Sequence, residues 1–186
     1  YSADGAELWV QRYNGPGNLR DSPKGLAVDA AGNILVSGES LNDQTALDFA
    51  TVKYTPGGQQ QWVERYDGPG NQDDSPCGSA LDVAGNCIVA GQIKGKATRE
   101  DLAAVKLDPG GKLLWVETYA GPGVEKDQAV ALALDGAGNV LVTGESSSPA
   151  TGLDFATVKY APDGRSLWAR RWSGPGSGGD TPAGII

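Results

Sequence analysis

Apolar and polar positions along this chain alternate in short stretches, which predicts strands rather than helices. In 22–29, Leu26 and Val28 fall on one side of an extended backbone and Ala27 on the other. A second stretch, 33–40, is built around Ile34-Leu35-Val36, and a third, 48–54, alternates in two rows. A fourth, Gln60–Tyr66, is centred on Trp62. Ala31-Gly32-Asn33 and Pro56-Gly57-Gly58 are turn signals, because Gly and Asn tolerate positive φ. A longer polar stretch, 41–47, separates the second and third strands. Apolar residues in both rows of a strand predict burial on both faces.

The whole unit then recurs. Trp9, Trp62, Trp115 and Trp168 are spaced by 53 residues, as are the Gly-Pro-Gly triplets at Gly15, Gly68, Gly121 and Gly174. A period of this order marks a solenoid, propeller or array, and four short strands per period fit a propeller blade best. The predicted fold is therefore all-β: a β-propeller fragment of about 3.5 four-stranded blades with a 53-residue repeat. Its parts are an outer strand in 1–18, blades at 19–71, 72–124 and 125–177, and the start of a further blade in 178–186. With the first strand of each blade innermost and the fourth outermost, the Gly-Pro-Gly segment crosses from one rim to the next centre. That order predicts fourteen strands, counting one around Trp9 and one ending at Ile186.

A chain that begins within a copy and contains no Met reads as an excerpt from a longer array. Three whole blades are too few for a ring, which typically has about four to eight. Two chains nearly match seven periods, but each junction would lack both middle strands, which disfavours a two-chain ring. Open edges at the Trp9 strand and at Gly184-Ile185-Ile186 predict association with further blades of the same protein or self-association.

Composition narrows the function. The 28 Gly and 11 Pro suit tight turns between short strands. A net charge of −8 disfavours nucleic acid and anionic membranes as partners, and no apolar run approaches a membrane span. There is no His, so the two cysteines, Cys77 and Cys87, suggest neither a metal site nor a thiol–His pair. Cys87 stands where other copies have Ile34 and Val140, and both thiols read as small core residues. A hairpin turn at Gly85-Asn86 would set Cys87 opposite about Asp82, too far from Cys77 for a disulfide.

The candidate polar sites all recur with the period. Asp21, Asp74, Asp127 and Asp180 open the inner strands, where a ring of carboxylates could face a channel and hold a cation. The favoured reading is that each accepts backbone N–H bonds and pins a blade junction. Asp29, Asp82 and Asp135 precede Gly-Asn turns without the alternating ligands of a calcium loop, and Asp48, Asp101 and Asp154 open the third strands. The Trp residues and their partners Tyr13, Tyr66, Tyr119 and Trp172 project from one face of the outer strand. Packing between blades explains them better than a carbohydrate surface. Gly-Pro-Gly is not a phosphate loop. What varies is the set of loops 39–47, 92–100 and 145–153, the middle one basic with Lys94, Lys96 and Arg99. A surface for a protein or glycan partner would be sought on that face; solvated loops without a partner are the favoured reading. No catalytic residue, metal ligand or cofactor site is assigned.

Asp48-Phe-Ala-Thr-Val-Lys-Tyr54, its counterpart Asp154-Phe-Ala-Thr-Val-Lys-Tyr160, Leu26-Ala-Val-Asp29, Gly138-Asn-Val-Leu-Val-Thr-Gly144 and the Gly-Pro-Gly triplets stand in fixed order. Together they resemble the bacterial β-propeller repeats called SBBP, or seven-bladed-propeller repeats, over essentially the whole chain. The middle copy departs most, since Leu102-Ala-Ala-Val-Lys-Leu107 lacks both aromatics, and Trp172 replaces the Tyr after Arg171. The resemblance implies a large secreted or surface-associated bacterial protein and brings no catalytic residues. A non-catalytic structural or interaction module is the expectation. The alternative is part of a propeller hydrolase or lyase whose catalytic groups lie outside these residues.

Overall fold

The computed structural model describes residues 1–42, 46–95, 99–123, 126–175 and 179–185. Twelve strands form three four-stranded antiparallel sheets among these residues. The first holds β1 (Asp21–Val28), β2 (Ile34–Asn42), β3 (Ala46–Tyr54) and β4 (Gln60–Tyr66). The second holds β5 (Ser75–Leu81), β6 (Cys87–Lys94), β7 (Glu100–Leu107) and β8 (Leu113–Tyr119). The third holds β9 (Gln128–Leu134), β10 (Val140–Ser148), β11 (Gly152–Tyr160) and β12 (Ser166–Trp172). In each sheet the strands lie side by side in chain order. No described helix is long and apolar enough to cross a membrane.

Register repeats with the sequence. Lys53 pairs with Trp62, Lys106 with Trp115 and Lys159 with Trp168. The tight turns use the glycines as expected, with φ of +79° at Gly32 and +84° at Gly58. Cys87 faces Leu81 across its hairpin, one residue from the expected Asp82. The cysteines are free, and they pack into two different inter-sheet clusters.

The sheets stack face to face, with β1, β5 and β9 next to one another. Leu35 and Phe49 of the first sheet meet Val89, Ala103, Val105 and Leu107 of the second. Ile88, Ala90, Leu102 and Ala104 of the second meet Val140, Val142, Val158 and Tyr160 of the third. The middle sheet thus buries both faces, as its two apolar rows demand.

Two expectations need correction. In the stretches 39–47, 92–100 and 145–153, the described residues carry strand at both ends: 39–42 and 46–47, 92–94 and 100, and 145–148 and 152–153. The ladder runs out to Asn42–Ala46 in the first sheet and Ser148–Gly152 in the third, and to Lys94–Glu100 in the second. A ladder is made by backbone groups, so polar side chains do not prevent its extension. Ala46 and Gly152, with φ of +70° and +83°, serve the chain reversal. Second, the segment around Trp9 and residues 180–185 form no strand, which leaves twelve strands instead of fourteen. The ladder partner of the Trp9 segment would be the equivalent of β3 one period earlier, which these 186 residues do not contain. Lys96, Gly176 and Ile186 lie outside the described residues.

Candidate functional site: sheet junctions and hairpin tips

Each Gly-Pro-Gly crossing is fastened by the aspartate six residues after its first glycine. Gly15, Gly68, Gly121 and Gly174 donate their N–H to Asp21, Asp74, Asp127 and Asp180 at 2.9, 2.6, 2.6 and 2.8 Å. The other oxygen of Asp74 accepts from Lys94 N–H and that of Asp127 from Ser147 N–H, both at 2.8 Å. The backbone N–H groups of Asp74, Asp127 and Asp180 donate in turn to Leu47, Glu100 and Leu153 of the preceding sheet. The Asp74 and Asp127 carboxylates therefore tie three backbone segments together, as the favoured sequence reading expects. A side chain at Gly68 would place its Cβ 2.7 Å from Asp74 Oδ2, so glycine lets the carboxylate approach.

A second fastening lies at the opposite ends of the sheets. Asp29 accepts from the N–H groups of Ala31 and Asn33 and from the Asn33 amide, closing the β1–β2 turn. Asp82 and Asp135 do the same in the other sheets. A third-strand lysine pairs with each: Lys53 with Asp29 at 3.1 Å, Lys106 with Asp82 at 2.9 Å, Lys159 with Asp135 at 2.7 Å. Burial pushes the Asp29 carboxyl upward, but Asn33 and Lys53 outweigh it and hold it down at about 2. Lys53 and Lys106 also reach into the next sheet, donating to the carbonyls of Pro109 and Pro162. The same carbonyls accept the indole N–H of Trp62 and Trp115 at 3.1 Å, and Pro56 accepts that of Trp9 at 2.9 Å. The rings lie over the turn glycines. A Cβ at Gly58, Gly111 or Gly164 would sit 2.6, 2.8 or 2.9 Å from Trp9, Trp62 or Trp115. The tryptophans thus act between sheets, as their apolar bodies and single donor suit.

A third contact depends on arginine. Arg65 holds Asp48 at 2.8 Å and the Ser40 carbonyl and hydroxyl, and Arg171 holds Asp154 at 2.7 Å and the corresponding groups of Ser146. The middle sheet has Thr118 at this position.

One place breaks the repeat in a chemically pointed way. Asp67 has Asn14, Ala120 and Ser173 as its counterparts. It brings a third carboxylate beside Asp48 and Asp74, with one oxygen of each within 4.8 Å of the others. Burial, then the negative charges of Asp67 and Asp48, push Asp74 up to about 6 against the pull of its two N–H bonds. Asp67 is raised for the same reason, burial first and then Asp48, with Arg65 opposing. Both Asp74 oxygens already hold backbone N–H groups, and Arg65 and Asn42 hold Asp48 Oδ2. The cluster is a mutually repelling acceptor set in which Asp67 Oδ1 is buried without a hydrogen bond. It was readable in the sequence as an acid beside a junction that its sister copies lack.

The hairpin tips of β2–β3, β6–β7 and β10–β11 lie on the same side as the Gly-Pro-Gly crossings, with Gly70 N–H bonded to Lys94 O and Gly123 N–H to Ser147 O. Beside the middle tip, Gln72, Lys94, Arg99, Glu100 and Lys126 line an open hollow of about 320 Å³. Lys94 and Arg99, flagged as basic from sequence, are thus brought together and joined by Lys126 from the next period. Burial pushes the thiols of Cys77 and Cys87 up to about 11 and 12, as befits core residues.

No family model and no curated protein matches the chain. Among solved structures it is similar to a protein of unknown function from Bacteroides caccae, at 18% identity and a TM-score of 0.51. The match covers 83% of this chain and 47% of that one, so the chain spans about half the length of its structural neighbour. At this identity the likeness concerns the fold alone.

Proposed function

We propose that the chain is a non-catalytic module of β-propeller type, part of a larger secreted or surface bacterial protein with SBBP-like repeats. It works as a scaffold that presents its hairpin-tip face to protein or glycan partners. The observation that carries this reading is the use of the periodic polar residues. The aspartates at 21, 74, 127 and 180, those at 29, 82 and 135, and the lysines at 53, 106 and 159 make backbone bonds or ion pairs that hold turns and sheets. Groups that a catalytic reading would recruit are engaged in architecture.

Divergence between copies concentrates at the hairpin ends: the second sheet has a basic hollow there, whereas the strand ends of the third are serine-rich. Function gathers on such variable ends when a rigid scaffold holds them. The test is a glycan array and an extracellular protein library probed with the native chain and with a chain whose residues 95–99 are replaced by the 149–151 tip. Partners captured by the native chain and lost on replacement support the reading. Equal capture by both chains refutes the tip face as the binding surface.

A further inference from the structure

The hollow beside the middle hairpin tip departs from the repeat in charge. Lys94 stands where the sister copies have Leu41 and Ser147, and Arg99 where they have Ala46 and Gly152. Lys126 has Arg20, Asp73 and Gly179 as its counterparts, and Glu39 holds the first of these. The blade architecture does not require these cations, since the flanking sheets take the same topology without them. They form a local exception on a chain whose net charge is −8.

The backbone around the hollow is committed to the fold. Lys94 and Glu100 pair across the β6–β7 ladder. The N–H of Lys94 donates to Asp74, and its carbonyl accepts from Gly70 N–H. The Glu100 carbonyl accepts from Asp127 N–H. Two fastened crossings thus hold the walls, with Gln72 in the one before the sheet and Lys126 in the one after. An extended peptide finds no strand edge to pair with at Lys94, so recognition falls to side chains.

Among the described residues the lining has no aromatic or aliphatic member, so a protein partner finds no pocket for a buried apolar anchor. Its volume of about 320 Å³ lies at the small end of ligand sites, which run from about 300 to 1,000 Å³. The ammonium groups of Lys94, half-buried, and Lys126, exposed, can bracket one oxyanion with charge-assisted hydrogen bonds. Lys126 Nζ lies 3.4 Å from Gln128 Oε1, a long contact that a charged acceptor displaces. Glu100 in the same wall accepts from hydroxyl donors and repels a second negative charge. The acidic surface beyond the hollow repels a polyanion in the same way.

We propose that this hollow binds a single acidic sugar of a glycan, with its carboxylate or sulfate ester between Lys94 and Lys126 and its hydroxyls on Gln72 and Glu100. The proposal rests on the reading of the hairpin-tip face as a partner surface, and it names the partner's chemistry.

An array of matched neutral, uronate-bearing, sialylated, sulfated and polysulfated glycans, with a glutamate-rich peptide beside them, tests this on the 186-residue chain. The expected result is capture of glycans with one acidic sugar, by about tenfold or more over their neutral analogues, fading as salt rises. The carboxylate and sulfate series, read separately, show which oxyanion is preferred. Lys94→Gln combined with Lys126→Gln weakens that capture about tenfold or more, whereas Lys94→Arg combined with Lys126→Arg retains it. Circular dichroism checks that both double variants are folded. Neutral glycans captured equally well, or acidic glycans held undiminished by the glutamine variant, overturn the proposal. So does preference for the peptide or the polysulfated glycans, or capture of no glycan at all. In each of those cases, protein capture that still depends on residues 95–99 leaves the tip-face reading standing, so the two fail separately. Capture indifferent both to the glutamine variant and to replacement of 95–99 removes both.

Discussion

The indole of Trp62 donates to the carbonyl of Pro109, 47 residues further along the chain and in the next sheet. Trp9 reaches Pro56 and Trp115 reaches Pro162 over the same separation. The pairing needs a glycine beneath the ring, and Gly111 fills that role with a φ of +89°. Gly111→Ala therefore costs in two ways, through the left-handed backbone and through a Cβ 2.8 Å from the Trp62 ring. Urea unfolding should show a loss of about 2 kcal/mol or more. Trp62→Phe keeps most of the packing and loses the hydrogen bond, for about 1 kcal/mol.

The three lysine–aspartate pairs differ in burial, and their energies should follow. Lys106 and Asp82 are 5% and 9% exposed, whereas Lys159 and Asp135 are 22% and 30% exposed. Lys106→Met removes the partner of a nearly buried carboxylate and a bond to Pro162, a loss of about 3 kcal/mol by chemical denaturation. Lys159→Met should cost under about 1 kcal/mol, since water solvates the carboxylate left behind.

Stability should pass through a maximum in mild acid. Asp74 is raised to about 6 in the folded chain, so the native state binds its proton more tightly than the unfolded state. Stability therefore increases as pH falls through 6 toward 4, by roughly 2 kcal/mol if the shift is fully expressed. Asp29, held at about 2, and the lowered Asp82 work in the opposite sense. Their contribution is complete above the unfolded value near 4 and disappears as pH falls toward 2. Thermal melts from pH 8 to pH 2 should show a rise between 7 and 5 and a collapse below 4.

Asp67 is the removable member of the carboxylate cluster. Asp67→Ser installs the third copy's residue and relieves the charge pressing on Asp74. Melting at pH 7.5 should show a gain of about 1 kcal/mol, and the rise between pH 7 and 5 should flatten. Unchanged stability with an unchanged pH profile would mean that the charge of Asp67 is screened.

The 53-residue interval and the four alternating stretches per copy placed nearly all the strand cores, because periodicity in sequence becomes periodicity in backbone pairing. The role of Asp74 and Asp127 was also legible, since an aspartate at a fixed offset from a turn glycine is a backbone acceptor by chemistry. The partners across the joints were not. Lys53, Lys106 and Lys159 recur with the period, yet nothing local says that their ammonium groups meet an aspartate of one turn and, for the first two, a proline carbonyl of the next sheet. Polarity at the hairpin ends predicts loop, whereas Ser147 and Leu153 pair through their backbones regardless of side chain. The Trp9 segment has the composition of a strand but lacks the neighbour that would make it one.

Hydrogen exchange at the amides of Gly68 and Gly121 tests most directly whether the periodic aspartates are structural fastenings. Each amide lies outside every strand and donates to a carboxylate six residues ahead at 2.6 Å. The expected result is protection close to that of β6 and β10, reduced for Gly68 alone by Asp74→Ala. Exchange of both amides at the rate of open loops, unaffected by that substitution, would contradict it.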